Sequence, residues 1–241
     1  MNSHIELLLT RYKPSDEAIK IVSKVRTLFL VGISGAGKDT IQRILIESGK
    51  YHQIVSHTTR KPRKNHGVLE KNGIEYHFIS LEQAAVMLEN HEFVEAKYYS
   101  GNLYGTSVEE FKKARGKNKI AVCDIEIQGV MEYKLCVPDA VHAVFLLPPS
   151  YNIWQQRWKK RWGEETDGES MKLRMQTAIA EIEHVLNTGY YSIVINDDLD
   201  EAVKAVDTIA KTGFQDDQSY DVGRRTAEEI LEAMQIQIST L

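Results

Sequence analysis

Thr27-Leu28-Phe29-Leu30-Val31-Gly32-Ile33-Ser34-Gly35-Ala36-Gly37-Lys38-Asp39-Thr40 is the stretch on which the reading of this chain turns. Thr27–Val31 is short, apolar and rich in β-favouring side chains, which reads as a buried strand. Gly32, Gly35 and Gly37 permit a tight loop whose backbone N–H groups point inward at an anion. The pattern from Lys38 opens a helix, and the dipole of a helix N-terminus favours phosphate. Strand, glycine-rich loop and helix in this order read as a cradle for a nucleoside triphosphate. Ser34, Gly35, Ala36 and Gly37 would line it, and Lys38 would reach the outer phosphates. The plainer reading, a glycine-rich turn with a chance lysine, leaves that order unexplained.

The position after Lys38 departs from the usual pattern, in which Ser or Thr places a hydroxyl on Mg²⁺. Here Asp39 follows, then Thr40. In this the loop resembles that of nucleoside monophosphate kinases, where the residue after the lysine varies and the second is often Thr. The resemblance implies Thr40 as a partner of Mg²⁺. Asp39 stays open between two readings: a contact to Mg²⁺, direct or through water, and an acidic residue of the first helical turn.

Outward from the loop, Thr58-Thr59-Arg60-Lys61-Pro62-Arg63 is a cationic segment suited to a second phosphate. A donor and an acceptor site close in sequence point to phosphoryl transfer. The 241 residues can bury one sizeable core with subdomains. A net charge of −4 gives no basic field for nucleic acid, so no nucleic-acid partner is expected. No apolar run approaches a membrane span, and Met1-Asn2-Ser3-His4-Ile5-Glu6 lacks a signal pattern. No membrane partner and a cytoplasmic location are therefore expected. Cys123 and Cys136 read as reduced thiols, and the eight histidines, without metal-ligand spacing, as surface or core residues.

Strand signals recur at Gln53–Ser56, Ile120–Asp124, Val141–Leu147 and Tyr191–Ile195. With the strand before the phosphate loop they predict an α/β fold, a parallel sheet flanked by helices. Met171, Met175, Ala178, Ile179, Ile182, Val185 and Leu186 share one helical face, as do Leu199, Ala202, Val203, Val206, Ile209 and Ala210. Residues from about 57 to 108 break the alternation. Short β-prone pieces surround a helix at Leu81–Asn90, and Tyr, Arg and Glu are frequent. This predicts a small inserted subdomain. Tyr and Arg donate to phosphate oxygens, and a Glu can accept the paired N–H groups of a guanine edge, which adenine does not offer.

Taken in order, Ser34–Lys38, Thr58–Arg63, Glu92-Phe93-Val94-Glu95, Gly101-Asn102-Leu103-Tyr104-Gly105-Thr106, Asp124-Ile125-Glu126-Ile127-Gln128-Gly129 and Asn196-Asp197-Asp198-Leu199-Asp200 resemble guanylate kinase over residues 27 to 212. The resemblance implies a P-loop NTPase-type sheet, a nucleotide-monophosphate-binding subdomain at about 57–108 and a helical lid at about 157–175. It implies ATP, GMP and Mg²⁺ as ligands. Arg60, Arg63, Tyr76 and Tyr104 would bind the GMP phosphate, and Ser56, Glu95, Thr106 and Glu126 would read the guanine. Glu126 stands where the family usually has Asp. Asp124 would serve Mg²⁺, directly or through water, and Asn196 and Arg157 the ATP. Around Gly163–Gly168, Arg161 and Arg174 would close over the transferring phosphoryl group and, with Lys38, stabilise its charge. A solvated basic helix is the plainer reading of that segment.

Three departures stand out: Ile33 replaces a common Pro, Ala96 a frequent aromatic residue, and Lys64–Gly73 is longer than the usual connection. The long loop either alters access for the acceptor or is a tolerated surface insertion, the reading preferred here. Residues 1–26 form an extension with a helix start at Ser15 and Ala18, Ile19, Val22 and Val25 facing inward. Residues 213–241 read as a polar linker, Gln215–Ser219, and a helix with a capping box from Thr226 to Glu229 and a stripe of Ile230, Leu231, Met234 and Ile238. Monomer and homodimer both stay open. Besides GMP phosphorylation, two alternatives remain: a kinase for another phosphorylated acceptor, such as a different nucleotide or a ribose bisphosphate, and a non-catalytic binding module of the same fold.

Overall fold

The computed structural model describes residues 3–65, 67–99, 101–162 and 168–239. In chain order, α1 (Ser3–Arg11) and α2 (Asp16–Val22) precede β1 (Thr27–Gly32) and α3 (Lys38–Glu47). Short strands follow: β2 (Tyr51–Gln53), β3 (His57–Thr58), the hairpin β4 (Lys64–Asn65) and β5 (Val68–Leu69), and β6 (His77–Phe78). Then come α4 (Leu81–Glu89), β7 (Phe93–Tyr99), β8 (Asn102–Ser107), α5 (Val108–Gly116), β9 (Ile120–Asp124) and α6 (Ile127–Cys136). The remainder is β10 (Val141–Leu147), α7 (Tyr151–Trp162), α8 (Gly168–Leu186), β11 (Tyr191–Ile195), α9 (Leu199–Thr212) and α10 (Asp217–Ile238).

Helix starts follow local chemistry. Ser15 accepts from the Ala18 N–H, Asp198 from Glu201 and Asp216 from Ser219, each relieving an orphan donor of a first turn. Ser80 and Gln83 form a reciprocal capping box ahead of α4.

By internal contacts the chain forms two units. The first comprises the chain up to Thr27, Tyr51–Cys123 and Met131–Val141. It holds a four-stranded sheet in the order β6-β3-β8-β7 and the parallel pair β2–β9. Its apolar centre is Ile5, Ala84, Leu88, Phe93 and Leu103, so α1 of the N-terminal extension is part of that core. The second comprises Leu28–Lys50, Asp124–Val130 and everything from His142 onward. Its strands run β11-β10-β1, with β10 and β11 parallel in register Phe145 to Ile193. Every residue of β1 is buried, the pattern of an α/β strand covered on both faces.

The expected strand at Gln53–Ser56 is displaced to Tyr51–Gln53. The Ile54 N–H still continues the ladder to the Val122 carbonyl at 2.9 Å. The next N–H, of Val55, goes to a Glu110 carboxylate oxygen at 3.2 Å, and the chain leaves β2 for β3 of the other sheet. No capping box forms at Thr226: its hydroxyl donates to the Val222 carbonyl inside α10, which has already started at Asp216. The expected linker is instead the cap of that helix. Gln215 also clamps edge strand β11, accepting from the Ile193 N–H at 2.9 Å and donating to the Ile193 carbonyl at 2.7 Å. Ala227, Ile230 and Met234 of α10 are buried within the second unit.

Candidate active site

The loop between β1 and α3 is shaped by two glycines. Gly37 has φ 96°, and a Cβ there would stand 2.2 Å from Asn196 Nδ2. Gly32 has φ 144°, and a Cβ would stand 2.3 Å from the Leu146 carbonyl oxygen. Only glycine lets the loop lie this close to its neighbours. Asn196, 6% exposed, follows β11 and donates from Nδ2 to the Ala36 carbonyl at 2.8 Å. Its own carbonyl accepts from Arg157 at 2.8 Å. Buried Trp154 donates from Nε1 to the Ser34 carbonyl at 2.9 Å. Asn196 and Arg157, expected at the nucleotide, thus brace the loop, and Trp154 is a brace that no motif announced.

Lys38 Nζ donates to the Gly32 carbonyl at 2.6 Å, across the mouth of the loop. Asp39 is exposed and Thr40 half-buried in the first turn of α3; Asp124, at the end of β9, and Glu126 are exposed. Glu181 of α8 was not anticipated. Burial pushes its carboxyl up to about 7, opposed by the charge of Lys38 and reinforced by those of Glu126 and Asp124. Glu126, expected at the guanine, is one of the charges that raise the Glu181 carboxyl. Among the described residues no group of three His, Cys, Asp or Glu side chains forms a metal cage. The hydroxyl of Thr40 and the carboxylate of Asp124 are hard oxygen donors of the kind Mg²⁺ takes, and that ion binds through one or two carboxylates plus phosphates and water. Arg174 is half-buried on α8, whereas the Arg161 side chain and residues 163–167 of the expected lid lie outside the described residues.

The first unit gathers the second set. Thr58 and Thr59 tie the arginine segment to β8: Thr58 Oγ1 donates to the Leu103 carbonyl at 2.9 Å, and Thr59 Oγ1 accepts from the Leu103 N–H at 2.9 Å. Arg60, 8% exposed, is gripped by Glu70 through Nη1 at 2.9 Å and Nη2 at 3.0 Å. Its guanidinium also lies 5.2 Å from the centre of the Tyr76 ring, which meets Tyr104 edge-on at 6.0 Å. The Glu70 hydrogen bonds hold the Arg60 pKa above its usual value. Arg63 is exposed, and its N–H donates to Glu70 at 2.7 Å. The long loop is therefore no plain surface insertion. Val68 and Leu69 are exposed, but the Glu70 side chain is 7% exposed and organises both arginines.

Ser56, Thr106 and Glu95 form a chain. Ser56 Oγ is 3.4 Å from Thr106 Oγ1, which donates to Glu95 Oε1 at 2.8 Å. Glu95 Oε2 is buried without a hydrogen-bond partner among the described residues. Burial raises the Glu95 pKa, against the Thr106 hydrogen bond and Lys97. The register of β7 against β8 shifts between Phe93, opposite Ser107, and Glu95, opposite Thr106, so that β7 carries one extra residue there. A Cβ on Gly105 would stand 2.9 Å from the Glu95 carbonyl oxygen, so glycine is needed where β8 passes.

A glycine-rich loop opening a helix beside a parallel sheet, with a lysine across its mouth, defines a phosphate-loop α/β protein of the nucleotide-binding class. The family model described as guanylate kinase matches residues 24–212. A guanylate kinase of Schizosaccharomyces pombe is 38% identical over 206 residues, covering 83% of this chain and 98% of the relative. One of Homo sapiens is 36% identical over 184 residues, covering 75% and 90%. A crystal structure of guanylate kinase from Anaplasma phagocytophilum shares the fold with TM-score 0.57 and 24% identity, over 81% of this chain and 89% of that one. This chain belongs to the guanylate kinase family.

Proposed function

We propose that this protein transfers the γ-phosphoryl group of ATP to GMP, giving ADP and GDP, with Mg²⁺ bound alongside the nucleotide. The observation that carries the acceptor is the Ser56–Thr106–Glu95 chain, ending in a buried carboxylate oxygen without a protein donor. Such an oxygen suits the paired N–H donors of a guanine edge and penalises bases that lack them. Arg60, Arg63, Tyr76 and Tyr104 supply donors for the GMP phosphate. Glu70 pre-orients Arg60, so little side-chain entropy remains to be lost on binding.

On the donor side, the backbone of Ser34–Gly37, with Lys38, Arg157 and Asn196, forms or braces the ATP cradle. Thr40 and Asp124 would hold Mg²⁺, directly or through water, and the ion would neutralise phosphate charge; Asp39 is an exposed acidic residue in the first turn of α3. A GMP phosphate oxygen is already a competent nucleophile, so no general base is needed. The bond from the γ-phosphorus to the β,γ-bridging oxygen breaks as the bond to GMP forms. Alignment and charge neutralisation by Lys38, Arg161 and Arg174 carry the rate. A cytoplasmic location agrees with Cys123 and Cys136 being thiols, and no described helix is long and apolar enough to cross a membrane.

The test is ADP release from ATP and Mg²⁺ with GMP, dGMP, AMP, CMP and UMP offered in turn. Turnover confined to the guanine nucleotides is the expected result. Turnover with another nucleotide, or with none, rejects the acceptor assignment.

A further inference from the structure

The first unit contains a buried polar cluster outside the residues assigned above. Its centre is Glu110 of α5, whose side chain is 3% exposed. Oε2 accepts from the Val55 N–H at 3.2 Å. Oε1 accepts from Lys113 Nζ at 2.7 Å and lies 3.2 Å from His77 Nε2. His52 Nε2 stands 3.5 Å from Oε2, an ion-pair distance rather than a hydrogen bond. His57 packs against His77 with ring centres 4.6 Å apart. Burial pushes the Glu110 pKa up, but Lys113, the Val55 N–H and His77 outweigh it and hold the carboxylate ionised.

The partners of Glu110 are neighbours of the acceptor residues. Val55 precedes Ser56, and His77 follows Tyr76. The His77 N–H also donates to the Ser56 carbonyl at 2.8 Å. One carboxylate on α5 thus binds both the segment that brings Ser56 to the base and the segment that brings Tyr76 to the phosphate. It does so at the point where the chain leaves β2 for β3, and the Val55 N–H has no ladder partner there. A buried backbone donor is costly when unmade, and a charged acceptor gives a stronger bond than a neutral one.

We propose that Glu110 is a positioning residue for the acceptor site: it fixes Ser56 relative to Tyr76, and so sets GMP affinity without touching the nucleotide. This rests on the reading that the first unit binds GMP. It assigns work to a residue outside all the motifs that carry the family resemblance.

The experiment compares wild type, Glu110→Ala, Glu110→Gln and His77→Leu by GMP calorimetry and by separate KM values for GMP and ATP. Glu110→Ala should raise the KM for GMP about tenfold or more, since small misplacements of binding groups are costly. The KM for ATP should stay at the wild-type value. Glu110→Gln, which keeps an acceptor for Val55, should recover most of the loss, and His77→Leu should raise the KM for GMP alone. Equal rises for GMP and ATP, or variants binding GMP as wild type does, overturn the proposal. If Glu110→Ala does not fold, His77→Leu decides by the same criterion. A wild type that binds no GMP overturns the functional reading and this proposal together. A wild type that binds it while folded variants bind it equally overturns the role of Glu110 alone.

Discussion

At the scale of single residues, the cluster around Glu110 has a consequence for stability. Burial, the neighbouring His77 and Lys113 push the His57 pKa down to about 4 from 6.5, against the charge of Glu110. The folded protein therefore holds His57 neutral where the unfolded chain would protonate it. As pH falls from about 6.5 towards 4 the unfolded state takes up more protons, and stability falls. Below about 4 this residue adds no further loss. The slope is at most about 1.4 kcal/mol per pH unit, less for a side chain that is partly exposed. His52, whose pKa is lowered chiefly by burial, acts with the same sign. Urea midpoints at pH 7 and pH 5 should separate for wild type and converge in part for His57→Gln; an unchanged separation removes His57 from the account. None of this was legible in the sequence. The histidines lack ligand spacing, and Glu110 lies 55 residues from the N–H it satisfies.

At the scale of elements, much of the secondary structure was legible because its determinants are local. Ser15, Ser80 and Asp198 cap helices at their own first turns, and burial recurring every three or four residues marks α8 and α9 in the pattern of apolar residues. The start of α10 was misread because Asp216 and Thr226 both have capping chemistry. Packing chose between them. Gly223 sits against β11, and a Cβ there would stand 2.7 Å from the Ile193 carbonyl oxygen. Gln215, just before the helix, pairs the edge donor and acceptor of Ile193 in β11, which would otherwise be open to another strand. Gly223→Val should cost about 1–3 kcal/mol by overpacking. A domain of this size then melts lower by about 2–4 °C for each kcal/mol. A melting point equal to wild type in calorimetry would contradict the close packing of α10.

At the scale of the whole molecule, the residues proposed for ATP and those proposed for GMP fall mainly in different units, so their losses should separate. Lys38→Ala should reduce turnover at least about 100-fold, as loss of a charge-stabilising donor does, with GMP binding unchanged. Glu95→Gln should weaken GMP binding about 10- to 100-fold through loss of a charged acceptor, with ATP binding unchanged. Calorimetry with each nucleotide checks both, and loss of both affinities in either variant would refute the division. The sequence by itself determined the phosphate loop, the arginine segment and most of the strand and helix segments around them. Those features rest on short-range sterics and hydrogen bonding, so spacing alone records them. Only the tertiary structure decided that Glu70 grips Arg60, that Asn196 and Trp154 brace the loop, that Glu126 and Glu181 share a field with Lys38, and that Thr106 holds Glu95. Each of these depends on where side chains or strands meet in three dimensions. Burial then makes every such meeting strong when paired and costly when not, a property that no spacing in the chain expresses.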